Sequence, residues 1–216
     1  SGVSIEFTGN YENQIRAEAR LSLVIPIVLV VIFMILYFQF KSVPVSLMVF
    51  SSVAVAFGVG FLMLWLYGQE GFLDFALFGT NMRDLFQVIP VNLSVAVWVG
   101  FIALFGIAVD DGVVMMTYLQ EAIKAHKPNN WNELKDCILE AGTRRIRPLV
   151  MTTTTTIVAL LPVMWSTTTG SEVMKPMAIP TLGGMLVELI TLFMVPVTFS
   201  YYEQKKIDSQ RRIQNV

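Results

Sequence analysis

Five long stretches of the chain carry almost no charge, and short charged segments separate them. Between Arg20 and Lys41 lie 20 uncharged residues, 21–40. As a helix these rise roughly 30 Å, enough to cross the hydrocarbon core of a bilayer. Residues 42–69 are again uncharged, and 46–67 are predicted as the second span. A third covers 91–119, broken only by Asp110 and Asp111. A fourth, 148–169, lies in the uncharged run that ends at Ser171, and a fifth, 176–202, is interrupted only by Glu188. The pattern predicts an all-α membrane protein with five transmembrane helices.

Two of the joints between spans have a helical pattern of their own. In 72–86, Phe72, Phe75, Phe78 or Gly79, and Met82 fall on one face, as in an amphipathic helix lying on the outer surface. In 131–143, Trp131, Leu134, Cys137 or Ile138, and Ala141 share a face, with Asn130 as N-cap and Gly142 as C-terminal stop. This is a second amphipathic helix, on the cytoplasmic side. Surface packing is the plainest role for both. Residues 3–8 alternate as a strand does. The chain therefore divides into a short leading segment, 1–15, a helical membrane domain, 16–204, and a polar tail, 205–216. Its first 20 residues lack both an initiator Met and the pattern of a signal peptide. It reads as a piece of a longer polypeptide or as one part of a split one.

Composition narrows the partners. Hydrophobic residues make up 55% and charged ones 14%, with a mean hydropathy of +0.64. A soluble domain carries about 25% charged residues. Lipid is the expected solvent, and a net charge of −1 gives no reason to expect nucleic acid. A single Cys137 excludes an internal disulfide, and with a single His126 it argues against a His/Cys metal cage. No cofactor is expected. Basic residues set the orientation. Lys41, six residues in 120–147, and Lys205, Lys206, Arg211 and Arg212 lie in joints on one side, whereas the opposite joints hold Arg83 and Lys175. By the positive-inside rule the C-terminus is cytoplasmic. Trp65 and Trp165 then fall near outer helix ends and Tyr201 and Tyr202 near an inner one, as interfacial aromatic belts do.

The candidate chemistry is intramembrane. Asp110 and Asp111 sit about 15 Å from the inner end of their span, where one carboxylate costs at least about 2.5 kcal/mol on insertion scales. Adjacent residues point roughly 100° apart on a helix, so each faces a different neighbour. Such acids serve a proton or cation relay, or else a structural hydrogen bond between helices. Glu188 poses the same choice alone. Thr152, Thr153, Thr154, Thr155 and Thr156 circle the fourth span at the depth of Asp111. Their hydroxyls can bond back to the i−4 carbonyl, and one or two, among Thr152, Thr153 and Thr156, can pass protons to a carboxylate. Arg144, Arg145 and Arg147 meet lipid head groups, and Arg145 can snorkel towards the acids. The 12 Met include Met174 and Met177 at the start of the fifth span. Thioethers suit soft metals such as Cu(I), although Met is also common apolar filler.

The strings FIALFGIAVDDGVVMMTYL and EAGTRRIRPLVMTTTTTIVALLPVMWSTTTGSEVMKPMAIPTLGGM resemble the C-terminal membrane half of a resistance-nodulation-division efflux pump. The heavy-metal type, the copper/silver and cobalt/zinc/cadmium pumps, is the branch they are most similar to. The resemblance covers nearly the whole chain. It implies that 1–15 end a periplasmic porter domain and that the spans are helices eight to twelve of a twelve-helix protomer. It further implies a trimeric, proton-driven antiporter of the bacterial inner membrane, working with the other membrane half, a periplasmic adaptor and an outer-membrane channel. In related drug pumps a lysine stands at the position of Asp110, an arginine at that of Arg145 and a threonine at that of Thr152. Asp110 departs from that pattern in sign and fits the metal branch, where an acid is found. Cu(I) or Ag(I) is the transported ion that the Met content suggests.

Three other readings remain open on the residues: a drug-type pump, a non-catalytic assembly or scaffold subunit, and an intramembrane aspartyl protease. The last needs carboxylates on two facing helices. Here the two Asp are neighbours in AVDDG.

Overall fold

A computed structural model describes residues 10–77, 79–128 and 130–214. The strand expected at 3–8 lies outside them. The elements in chain order are α1 (Asn10–Phe40), α2 (Val43–Tyr67), a hairpin of β1 (Ala76–Leu77) and β2 (Thr80–Asn81), α3 (Met82–Leu85), α4 (Val95–His126), α5 (Trp131–Trp165) and α6 (Ser171–Gln214). All five expected spans form helices long and apolar enough to cross a bilayer. Long helices bond most of their backbone within themselves, which hydrocarbon demands, and prolines interrupt that ladder at Pro26, Pro148, Pro162, Pro176, Pro180 and Pro196.

Three of the joints are short, 41–42, 127–130 and 166–170, whereas 68–94 holds the hairpin and α3. Lys41 turns the chain between α1 and α2 with a left-handed φ of 49°, and Lys127 closes α4 the same way at 44°. The amphipathic segment expected over 131–143 is not a separate helix. It is the first part of α5, which continues through Gly142 and Pro148 as one helix of 35 residues. Gly142 does not adopt the positive φ of a C-terminal stop. Its neighbours Leu134, Cys137, Ile138 and Ala141 bury the predicted face, in register with Leu149 and Thr153 further along. A continuous helix keeps that whole stripe against the bundle.

The outer segment is helical only over α3. Leu73 at φ 57° and Gly79 at φ 82° break the helix that its periodicity suggests, and the two-residue strands β1 and β2 pair on either side of Gly79. Asn81 caps α3 by accepting from the Arg83 amide at 3.0 Å. The Arg83 guanidinium donates to the carbonyls of Gln69, Glu70 and Phe72, which ties the hairpin to the end of α2.

α6 lies at the centre of the bundle and packs on α2, α4 and α5, with α1 laid against α2 and α4. Lipid tails are as apolar as leucine, so close packing must hold these helices together. Glycines supply it. A Cβ on Gly100 of α4 would collide with the Met177 carbonyl of α6, and one on Gly184 of α6 with the Leu104 side chain of α4. The interior divides into two apolar clusters. One contains Val53, Phe101, Leu104, Ala108 and Met185. The other contains Val49, Met115, Leu149, Leu192 and Phe199. In α2 the residue between Val49 and Val53 nearest their seam is Ser52, in α4 Asp111 and Gly112 fall between Ala108 and Met115, and in α6 Glu188 falls between Met185 and Leu192. A polar layer therefore separates the clusters.

Gly100→Val should force α4 away from α6, because the obstacle is backbone and cannot rotate aside. Overpacking of this kind costs typically 1–3 kcal/mol. Thermal unfolding of the detergent-solubilised protein checks it, and an unchanged midpoint would show that the helices do not meet there.

Candidate functional site

Asp110 and Asp111 follow each other on α4 and part company as helical geometry requires. Asp110 is exposed and Asp111 is half-buried. Both line an open cleft of about 590 Å³ between α4 and α5, together with Arg145, Thr152, Thr153 and Thr156 and, from α6, Met185. Six of the residues singled out in the sequence thus share one cleft.

Thr153 joins the two helices. Its hydroxyl lies 3.0 Å from Asp111 Oδ2 and 2.9 Å from the Leu149 carbonyl. With one proton to give, it donates to the carboxylate or to its own helix, not to both. Three of the other threonines are satisfied locally: Thr152 donates to Leu149, Thr155 to Met151 and Thr156 to Thr152. These back-bonds let a row of hydroxyls sit in an apolar span.

Arg145 reaches the cleft wall. Its guanidinium carbon stands 4.8 Å from the centre of the Tyr118 ring, a cation–π contact. Its buried Nε has no hydrogen-bond partner among the described residues, and no ion pair joins Arg145 to either aspartate there. Arg144 instead pairs with Glu140 at 2.7 Å on the exposed face.

Glu188 is outside this cleft. It is 4% exposed, and neither carboxylate oxygen has a hydrogen-bond partner among the described residues. It lines a cavity of about 10 Å³ on the other side of Asp111, with Ser52 and Gly112. Asp111 therefore belongs to both spaces. Met174 and Met177 lie elsewhere, at the first turns of α6, 59% and 37% exposed. Among the described residues no group of three or more His, Cys, Asp or Glu is placed to hold a metal ion.

Two residues of this region escaped the sequence reading. Ser52, whose hydroxyl lies 2.6 Å from the Val49 carbonyl of its own helix and 3.3 Å from the Ala108 carbonyl of α4, has its one proton to give to either beside Asp111. The SerSer pair in an otherwise apolar span was its available signal. Tyr118 had none beyond lying two turns after Asp111.

The sequence pattern of the AcrB/AcrD/AcrF family matches residues 1–203. The chain belongs to that family. Several of the relatives it matches within that family have names that refer to metals or cation efflux. The cation efflux system protein CusA of Escherichia coli (strain K12) is 36% identical over 205 residues, 92% of this chain and 18% of that protein. The putative cation efflux system protein SilA of Salmonella typhimurium is 34% identical over the same length and shares. The cobalt-zinc-cadmium resistance protein CzcA of Cupriavidus metallidurans is 28% identical over 211 residues, 97% of this chain and 17% of that protein. A crystal structure of a heavy metal efflux pump superimposes with a TM-score of 0.67 at 28% identity, covering 94% of this chain and 18% of that one. The chain spans less than a fifth of the length of these relatives. It is a membrane portion of the heavy-metal efflux branch of the resistance-nodulation-division family.

Within this branch member, the Thr153–Asp111 bond is open to direct measurement. Interhelical side-chain hydrogen bonds in membranes contribute about 0.6 kcal/mol on average and reach about 1.7. A double-mutant cycle of Thr153→Val with Asp111→Asn should give a coupling of about 1 kcal/mol in unfolding. Thr152→Val with Asp111→Asn should give none. Equal couplings at the two threonines would contradict the geometry.

Proposed function

We propose that this chain is the proton-handling membrane half of a proton-driven antiporter that exports metal ions. The observation that carries the reading is the cleft between α4 and α5, where an exposed Asp110 and a threonine-bonded Asp111 face each other's surroundings in the middle of apolar spans. Intramembrane carboxylates of this kind mark ion or proton pathways. Asp110 takes up the proton at the open side of the cleft, where the complementary membrane half would dock. Thr153 shifts its hydroxyl proton between Asp111 and the Leu149 carbonyl as the charge on Asp111 changes. Thr152 and Thr156 line the approach, and Arg145, stacked on Tyr118, sets the local positive field without being locked to either acid.

Cation efflux, named for CusA and SilA, supports metal ions as cargo. The exposed thioethers of Met174 and Met177 favour a soft ion such as Cu(I) or Ag(I). The assembly is a trimer in the bacterial inner membrane, with a porter domain, a periplasmic adaptor and an outer-membrane channel, and the C-terminus of α6 in the cytoplasm. Exposed Trp65 and Trp165 at one end of the bundle and Tyr201 at the other support that placement. The chain carries out transport rather than a chemical conversion.

Asp110→Asn in the intact transporter should reduce proton-coupled metal export to the level of cells without the pump, with unchanged abundance in the membrane. Export assays in proteoliposomes with an imposed pH gradient measure it. Normal export by both Asp110→Asn and Asp111→Asn would leave the chain a scaffold and overturn the proposal.

A further inference from the structure

We propose that Asp111 and Glu188 form a second proton site inside the bundle, a pair of facing carboxyl groups that hold one proton between them through one water-sized cavity. This rests on the proton-handling reading and extends it from the open cleft to the α2–α4–α6 interior.

Three independent observations meet here. The first is burial: Glu188 is 4% exposed, and both of its oxygens lack a hydrogen-bond partner among the described residues. A buried carboxyl without partners is costly, and an ionised one far more so. The second is the space beside it. Glu188 and Asp111 line the same cavity of about 10 Å³. That is about the volume that accommodates a single water molecule. The third is the charge around it. Between Val95 and Leu119, α4 carries only Asp110 and Asp111, both acidic. α2 carries no charged side chain at all, and α5 none from Pro148 to Trp165. Between Lys175 and Glu203, Glu188 is the only charge on α6. Arg145 is the one cation within the neighbouring cleft, and it lies beyond Asp111, on the far wall. No cation therefore lines the cavity to neutralise two carboxylates.

Two acids in that setting satisfy each other by sharing a proton, as carboxylate dyads do. The shared hydrogen completes the bonding of Glu188, which nothing else on α2, α4 or α6 does. Ser52 does not take over, since its one hydroxyl proton is directed to a backbone carbonyl, the nearer being Val49 at 2.6 Å, and Glu188 has no hydrogen bond to it. Nor does Thr191, which donates to the Glu188 carbonyl at 3.1 Å. Asp111 then sits at a branch: Thr153 on the cleft side, Glu188 on the inner side. A proton arriving by the cleft can be passed inward, and its position changes the contact between α4 and α6.

Infrared difference spectroscopy of the intact transporter, titrated with pH, tests the pair. Protonated carboxyl groups give a carbonyl stretch that disappears on ionisation. Glu188→Gln should remove one such band. Asp111→Asn should move the titration of the Glu188 band by at least about one pH unit, the coupling expected of two interacting acids. Asp110→Asn, which alters the exposed neighbour, should move it less. A Glu188 band that titrates identically with and without Asp111 overturns the pair. The conservative substitutions keep shape, and size-exclusion profiles identify any variant that misfolds. In that event Glu188→Asp, which keeps the acid and shortens its reach, should weaken the coupling, and full coupling there also overturns the pair. Coupled bands with wild-type export in every variant would uphold the pair and sink its role in transport. Absent coupling with export lost in Asp110→Asn would do the reverse.

Discussion

The bundle is arranged around a single difficulty, two carboxyl groups set among apolar helices, one of which, Glu188, has no hydrogen-bond partner among the described residues. Asp111 and Glu188 lie at one level, and everything apolar is sorted above and below them. The cluster around Phe101 and Leu104 fills one half of the interior and the cluster around Met115 and Leu119 the other. Ser52, Gly112 and Thr153 are drawn into the same level, each from a different helix or face. Lipid offers polar groups nothing. They gather because each is the best partner available to the others.

That gathering works only if the helices approach closely. Gly100 and Gly184 bring α4 and α6 together above the acids, and Gly112 brings α4 against Val49 and Ser52 of α2 beside them. Small residues at these crossings replace the hydrophobic driving force that is missing between helices in a membrane. The polar layer and the glycine contacts therefore depend on each other. Looser packing would separate the carboxyl groups, and removing them would leave α4 and α6 packed around a void.

The long-range pattern of charge was enough to read the five spans, because a bilayer imposes a minimum length and excludes ions at every position alike. The acids and threonines were legible for the same reason: Asp110, Asp111, Glu188 and Thr153 stand out against a background that should be apolar. Where a helix ends was less legible. Gly142 and Pro148 look like terminators in water, yet the continuous stripe from Leu134 to Thr153 outweighed them. Residues 72–86 had helical periodicity, but Leu73 and Gly79 turn the backbone and a hairpin forms instead. Which acid faces which space was not legible at all. A difference of one position, Asp110 against Asp111, is settled by how α4 rotates against α5 and α6. That rotation comes from packing at residues such as Gly100, whose meaning appears only when its neighbour across the interface is known.

The unbroken course of α5 has a mechanical side. α5 spans roughly 50 Å in 35 residues, and to the extent that Pro148 and Pro162 leave it straight it moves as a rod. Thr153, where it is pinned to Asp111, lies about two-thirds of the way from Trp131 to Trp165. A tilt about that pin swings the Trp131 end nearly twice as far as the Trp165 end. The rod is a lever with unequal arms. Its long arm carries the surface that Leu134, Cys137 and Ile138 press onto the bundle, so a displacement too small to notice beside the carboxyl groups is magnified at the Trp131 end.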